Sequence, residues 1–182
     1  GSHTEVQHRV VLSHTLISKH GALLIVRNLL VVLVADDATF YHADSIRKII
    51  YAYDYDIETG TVANRRPFAS TEDLGGIPDG ATVDAEGHIW SAICEGAKLV
   101  RFRPDGSIER IVAFPLKLPG SVMIGGPALD RLFVPTLSPA FMGREADPLD
   151  GSTYVIDGLG VTGLAGHGSA DEIPPPPPAG HS

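Results

Sequence analysis

The chain has 182 residues, of which 43% are hydrophobic and 20% are charged, a composition typical of one soluble globular domain. Its net charge of −8 and its lack of a lysine or arginine cluster exclude a nucleic-acid groove, because phosphate binding needs clustered cations. The most apolar stretch, residues 21–34, contains Arg27 and Asn28 and is shorter than the roughly 20 residues of a membrane helix. We therefore expect neither a nucleic acid nor a membrane as a partner. We expect a cytoplasmic location.

The chain opens with a segment that shows no recognisable pattern. Gly1, Ser2 and His3 are typical of an expression tag, and residues 1–20 are interpreted as this tag and an irregular arm. Between residues 21 and 165, short segments alternate apolar and polar side chains, which is the period of β-strands. They span residues 39–43, 49–54, 61–68, 81–84, 88–92, 99–103, 108–114, 131–135 and 152–156. The sequence predicts an all-β fold.

The predicted strands repeat as a unit. One strand recurs as TFYHAD (39–44), HIWSAI (88–93) and RLFVPT (131–136), and its partner as IYAYDYD (50–56), LVRFRPD (99–105) and STYVID (152–157). A repeat of about 40–50 residues with four strands is typical of β-propeller blades, which close into rings of typically about 4–8 blades. About three units fit this length, so three explanations stay open. The chain is a fragment, residues 4–34 form irregular cover, or two chains combine into one six-bladed ring.

Residues 77–106 carry the candidate chemistry. Asp79 stands between Pro78 and Gly80, and the sequence predicts a rigid turn at the mouth of a small sheet. A carboxylate held there can bind a cation and accept a proton from water. The alternative is an ordinary turn aspartate that caps backbone amides.

Cys94 is the single cysteine, so an intramolecular disulfide is excluded, and its apolar neighbours predict a buried, inert thiol.

Residues 158–163 satisfy G-x-G-x-x-G, but the sequence after them cannot form the helix that a dinucleotide site requires. From residue 166 the chain is rich in glycine and contains five consecutive prolines. Because proline has no donor for a sheet, a mobile tail is expected over residues 166–182.

Several segments in order resemble the regucalcin/gluconolactonase family, which includes senescence marker protein and luciferin-regenerating enzyme-like members. They are YAYDYD, the NRR segment, IPDG followed by DAEG, and SV followed by GGP, within residues 40–69, 77–92, 98–115, 121–136 and 151–166. The resemblance covers the C-terminal half of such a protein. It implies a partial six-bladed β-propeller of about three four-stranded blades, over residues 21–165.

The resemblance also implies a function. Family members are divalent-metal-dependent hydrolases of sugar lactones, or relatives that bind calcium. Asp79 matches the family's metal ligand and catalytic base, and Asn28 is the nearest match to a second metal ligand, although Leu29 replaces the glycine that follows it in the family. Calcium is the expected metal, with zinc, magnesium and manganese as alternatives.

A small-molecule sugar lactone is the expected substrate, with weak or incomplete activity in a truncated chain. One alternative is a non-catalytic relative that acts as a calcium-binding or interaction module. Another expectation is a homodimer that completes the propeller.

Overall fold

The structure, a computed structural model, describes residues 29–33 and 38–164. The arm predicted over residues 1–20 and the tail predicted over residues 166–182 lie outside these residues. Eleven strands are described: β1 Leu29–Leu33, β2 Thr39–Asp44, β3 Ile49–Asp56, β4 Thr61–Ser70, β5 Ile77–Val83, β6 Ile89–Cys94, β7 Lys98–Phe102, β8 Ile108–Ala113, β9 Met123–Gly125, β10 Arg131–Pro135 and β11 Thr153–Ile156. Two short 3-10 turns occur, at Glu72–Leu74 and Pro139–Met142. None of the described segments is a helix long and apolar enough to cross a membrane.

The strands form three sheets in chain order. The first sheet is β1-β2-β3-β4, the second is β5-β6-β7-β8, and the third is β9-β10-β11. Every neighbouring pair is antiparallel, so each sheet is a meander of consecutive strands, as in a propeller blade. The prediction of an all-β repeat is confirmed. The third sheet has three strands among the described residues rather than the predicted four.

The second sheet is covered on both faces. One apolar cluster joins it to the first sheet, and its buried members are Tyr41, Ala43, Ile50, Ala52, Ala69, Leu74, Val83, Ile89, Ile93, Val100 and Phe102. The other joins it to the third sheet through Trp90, Ala92, Leu99, Phe114, Val122, Leu132, Val134 and Val161. Every residue of β6 is buried as a result. A strand buried on both faces needs apolar side chains at successive positions, which explains the run IWSAIC.

Equivalent aromatic residues in the repeat point in the same direction around the molecule. Tyr41 packs toward the second sheet, and its equivalent Trp90 packs toward the third. In the partner strand, Phe102 packs backward on the first sheet, and its equivalent Tyr154 packs backward on the second. At both junctions, the forward-pointing side of one sheet therefore packs on the backward-pointing side of the next sheet.

A buried ion network holds the second sheet together. The Asp84 carboxylate is 1% exposed and accepts hydrogen bonds from Trp90 Nε1 at 3.1 Å and Arg101 Nε at 2.8 Å. It also accepts the backbone N–H groups of Glu86 and His88, both at 3.0 Å. Burial lowers the pKa of Arg101, but its hydrogen bonds to Glu86 and Asp84 outweigh this and raise the pKa. The network joins the β5–β6 turn to β7 inside the core.

Candidate functional site

Asp79 lies within strand β5, which differs from the predicted turn. In the pairing of β5 with β6, Pro78 stands opposite Ile93 and Ala81 stands opposite Ser91. Two residues of β5, Asp79 and Gly80, therefore face a single residue of β6, which is a β-bulge. A bulge re-aims a side chain while the strand continues, so the motif positions the carboxylate without ending the strand.

Neighbouring segments hold this bulge from two sides. The Ser45 hydroxyl, just after β2, donates to the Pro78 carbonyl at 2.8 Å. The Gly80 N–H donates to the Gly120 carbonyl at 3.0 Å, in the connection between β8 and β9. Gly80 touches this connection so closely that a Cβ at position 80 would overlap Ser121. The glycine is thus required by close packing rather than by an unusual backbone angle.

The Asp79 carboxylate is half-buried and electrostatically unsatisfied. Burial raises the pKa of Asp79 to about 6, and the nearby Gly80 N–H only partly opposes this rise. Among the described residues no side chain forms an ion pair or a hydrogen bond with it. A desolvated carboxylate without a partner destabilises a fold, and such groups are common at functional sites. This makes Asp79 a candidate functional residue.

Cys94, at the end of β6, lies within electrostatic reach of Asp79. Burial is the main cause that raises the pKa of Cys94 to about 11, and the negative charge of Asp79 contributes further. The thiol is 5% exposed and protonated at neutral pH, so the predicted inert thiol agrees with the structure. The neighbouring Glu95 forms an ion pair with Arg144 at 2.7 Å.

A cavity of about 350 Å³ lies between the ends of the second and third sheets. Its lining combines the apolar Leu116 and Leu118 with charged side chains, which include Lys117, Arg144, Glu145 and Asp147. Arg144 belongs to this lining and also forms the ion pair with Glu95, so the cavity is joined to the residue that follows Cys94 through one side chain. Sequence reasoning missed it because it depends on how the loop of residues 136–152 folds back.

The donor set for a metal can be tested against these contacts. Asp79 fits as one ligand, because its carboxylate is desolvated and, over the residues that the structure describes, no basic side chain forms an ion pair with it. Over residues 29–33 and 38–164, no group of three or more His, Cys, Asp or Glu side chains could hold a metal ion. Asn28, the predicted second ligand, lies outside the described residues. Among the described residues, Asp79 is thus the predicted metal ligand that can be located, and it is not part of a cluster of three or more such side chains.

Two other sequence features have structural outcomes. His42 is half-buried beside Tyr53, with its Nδ1 3.3 Å from the tyrosine hydroxyl, so it packs within the first sheet. The glycines of residues 158–163 lie in irregular backbone with an isolated bridge between Gly163 and Asp84. The ion network of Asp84 was not anticipated. Its signal was present in D-x-x-G-x-x-W over residues 84–90, where the aspartate can reach the indole across the hairpin.

The tight contact of Gly80 makes a testable prediction. We expect Gly80→Ala to lower the free energy of unfolding by about 3 kcal/mol, because the new methyl group would overlap the Cα and Cβ of Ser121 as well as its Oγ, so that rotation of the hydroxyl alone cannot relieve the clash. Urea unfolding measures the change. Gly60→Ala is the control, because a Cβ there meets nothing within 4 Å and only its φ of +69° is strained, which costs about 1 kcal/mol. Equal stabilities of the two variants would contradict the proposed close packing.

The sequence is similar to those of several known proteins. A family profile described as the SMP-30/Gluconolactonase/LRE-like region matches residues 24–138. Regucalcin of Danio rerio is 35% identical over 135 residues, covering 71% of this chain and 45% of that protein. Pentonolactonase XacC of Haloferax volcanii is 42% identical over 101 residues, covering 56% of this chain and 35% of that protein.

A solved structure supports the fold. The regucalcin of Agrobacterium tumefaciens strain C58, described as a calcium-binding protein, superposes with a TM-score of 0.63 at 26% identity. The match covers 74% of this chain and 46% of that one. The predicted propeller-type fold is therefore confirmed. The chain spans less than half the length of these relatives.

Proposed function

The chain belongs to the SMP-30/gluconolactonase/LRE-like family, and on that premise we propose that it hydrolyses a sugar lactone with Asp79 as the base and as a ligand of a divalent cation. The observation that carries the proposal is the desolvated Asp79 carboxylate, held at a bulge without a partner side chain among the described residues. The names of the relatives, a pentonolactonase and a calcium-binding regucalcin, support the reaction and the metal.

Lactone hydrolysis requires a group that polarises the ring carbonyl and a base that accepts a proton from water. A divalent cation, when bound, polarises the lactone carbonyl. Asp79 accepts a proton from water while the water oxygen adds to the carbonyl carbon. The ring C–O bond then breaks, and the proton held by Asp79 passes to the departing ring oxygen, which leaves a hydroxy acid. Atoms balance with water as the only co-reactant.

The contacts around Asp79 suit this role. The Ser45 and Gly120 hydrogen bonds fix the backbone on both sides of the carboxylate, so little reorganisation is needed when a proton moves. Burial raises the pKa of Asp79 to about 6, which favours proton acceptance near neutral pH over an ordinary aspartate. Asn28 remains the proposed second ligand from the sequence, with calcium as the proposed metal.

Metal dependence is the direct test of the proposed function. We expect the 182-residue chain to accelerate hydrolysis of gluconolactone in the presence of calcium, to lose this acceleration with a chelator, and to regain it when calcium is restored. Acid release followed with a pH indicator measures the rate, and calorimetric titration with calcium measures binding separately. A rate no higher than that in buffer, or one that a chelator leaves unchanged, contradicts the proposal.

The same experiment separates the proposal from the non-catalytic alternative. A calcium-binding or interaction module would give heat in the calorimetric titration and no hydrolysis. Zinc, magnesium and manganese in parallel titrations identify the preferred ion. Asp73→Asn serves as a matched control, because Asp73 is an exposed acid in the 3-10 turn just before β5 and lies outside the site.

A further inference from the structure

The two outer sheets each have one face that lies outside both core clusters. On the first sheet this is the aromatic face, formed by the partly exposed Phe40, His42, Tyr53 and Tyr55 around Tyr51, which is 9% exposed. On the third sheet it is the end face, formed by Met123, Phe133, Pro135 and Val155. Its residues alternate with Leu132, Val134 and Tyr154, which pack toward the second sheet.

The end face is a continuous apolar row. Phe133 stands directly opposite Met123 on β9 and directly opposite Val155 on β11. Met123 is 52% exposed and Val155 is 50% exposed. A contiguous row of apolar side chains on the face of a sheet is a feature that often marks a contact with another protein surface.

The aromatic face has the composition of a protein interface. Phe40 contacts Tyr53 edge to face with centroids 5.6 Å apart, and the Arg65 guanidinium lies 4.9 Å from the centre of the Tyr51 ring. Tyrosine, phenylalanine and arginine are enriched where proteins bind one another. A small ligand is a poorer fit, because the surface is the side of a sheet rather than a concavity.

The internal repeat identifies what each face is built to contact. Trp90 points forward onto the third sheet, and Phe133 is its equivalent in the next unit. Phe102 points backward onto the first sheet, and Tyr53 is its equivalent in the preceding unit. The end face is therefore of the forward type and the aromatic face of the backward type. These are the two types that already pack together at both internal junctions.

We propose that two copies of this chain associate head to tail, the end face of each on the aromatic face of the other, to close one ring. Three sheets of a six-bladed ring turn through about 180°, so a two-fold rotation about the ring axis brings both pairs of faces together. The solved relative is about twice as long as the part this chain matches, which fits a ring with room for two such halves. The proposal is independent of the proposed function.

The mass of the 182-residue chain in solution is the primary test. We expect twice the monomer mass of 19.3 kDa by sedimentation equilibrium, with dissociation on dilution. A monomer at every concentration overturns the proposal. An open series of larger oligomers also overturns it, because the contact then does not close.

Two single-face variants test the head-to-tail arrangement. Val155→Asp on the end face and Tyr53→Asp on the aromatic face are each expected to weaken dimerisation by about tenfold or more, since a charge enters both contacts of the ring. Ile111→Asp is the matched control, because Ile111 is 51% exposed on β8 of the second sheet and lies on neither face. Circular dichroism checks that each variant folds.

Mixing the two variants gives the sharpest result. A mixed dimer joins the intact aromatic face of the Val155→Asp copy to the intact end face of the Tyr53→Asp copy, and both changed faces meet at the other contact. We expect the mixture to associate more strongly than either variant alone. If instead Tyr53→Asp leaves the dimer unchanged while Val155→Asp dissociates it, the contact is end face to end face and the proposal is wrong.

Discussion

Asp79→Asn is expected to lower the rate of lactone hydrolysis by about 10²- to 10⁴-fold, the range that a positioned general base contributes. The amide keeps the size of the side chain but cannot accept a proton from water. It is also a weaker ligand for a hard cation, so calcium affinity measured by calorimetry should fall in parallel. The control, Asp73→Asn, should retain the wild-type rate.

The same substitution should raise stability when metal is removed. In the metal-free protein at pH 7 the acid is charged in both folded and unfolded states, and burial raises its folded pKa from 3.8 to about 6. This shift corresponds to a cost of folding of up to about 3 kcal/mol, which asparagine removes. The difference should shrink as pH falls from about 6 and vanish below about 4, where both states are protonated.

These two readouts together distinguish a functional residue from a structural one. A variant that loses activity because it is misfolded would unfold at lower urea concentration, whereas we expect Asp79→Asn to unfold at higher urea concentration after chelation. A loss of both activity and stability would show that the carboxylate supports the fold. An unchanged rate of hydrolysis would remove Asp79 from the mechanism.

The second large effect is expected at Asp84. Asp84→Ala should lower the free energy of unfolding by about 3–5 kcal/mol, the usual cost of removing one partner from a buried ion pair. Arg101 is 7% exposed and would keep its ion pairs with Glu86 at 2.7 Å and Glu109 at 3.4 Å but lose the buried carboxylate. The indole N–H of Trp90 would lose its acceptor inside the core.

Trp90 also provides the measurement. It is the only tryptophan of the chain and is 0% exposed, so its fluorescence reports the opening of the second sheet during urea unfolding. Asp105→Ala is the control, because Asp105 also accepts hydrogen bonds in a hairpin turn but is exposed. A stability loss at Asp84 no larger than that at Asp105 would show that the network is not a major source of stability.

The strand pattern could be predicted because it follows from local chemistry. Alternating side chains and Gly, Pro and Asp turns were sufficient to locate most strands, and the spacing of aromatics revealed the repeat. Strand β6 was predicted over residues 88–92 from the same alternation, and the structure extends it to Cys94, where burial on both faces leaves apolar side chains at successive positions.

The candidate site could be only half predicted, and Pro-Asp-Gly shows why. The tripeptide occurs at residues 78–80 and again at residues 104–106, and only the second is a turn. Gly106 has a φ of +83°, as a turn requires, whereas Gly80 lies in a strand against Ser121. The difference is set by the connection between β8 and β9, some forty residues away along the chain. Local sequence cannot report such a contact.

The bulge at Asp79 and Gly80 makes the direction of the carboxylate depend on the number of residues in β5 as well as on the glycine that fits against Ser121. Successive side chains of a strand point to opposite sides, so the loss or gain of one residue here would turn the acid away from its present surroundings. Substitutions in β5 that keep this number of residues and spare Gly80 would leave the direction of the carboxylate unchanged. An insertion or deletion in this short segment would turn the carboxylate away, whichever residues it added or removed.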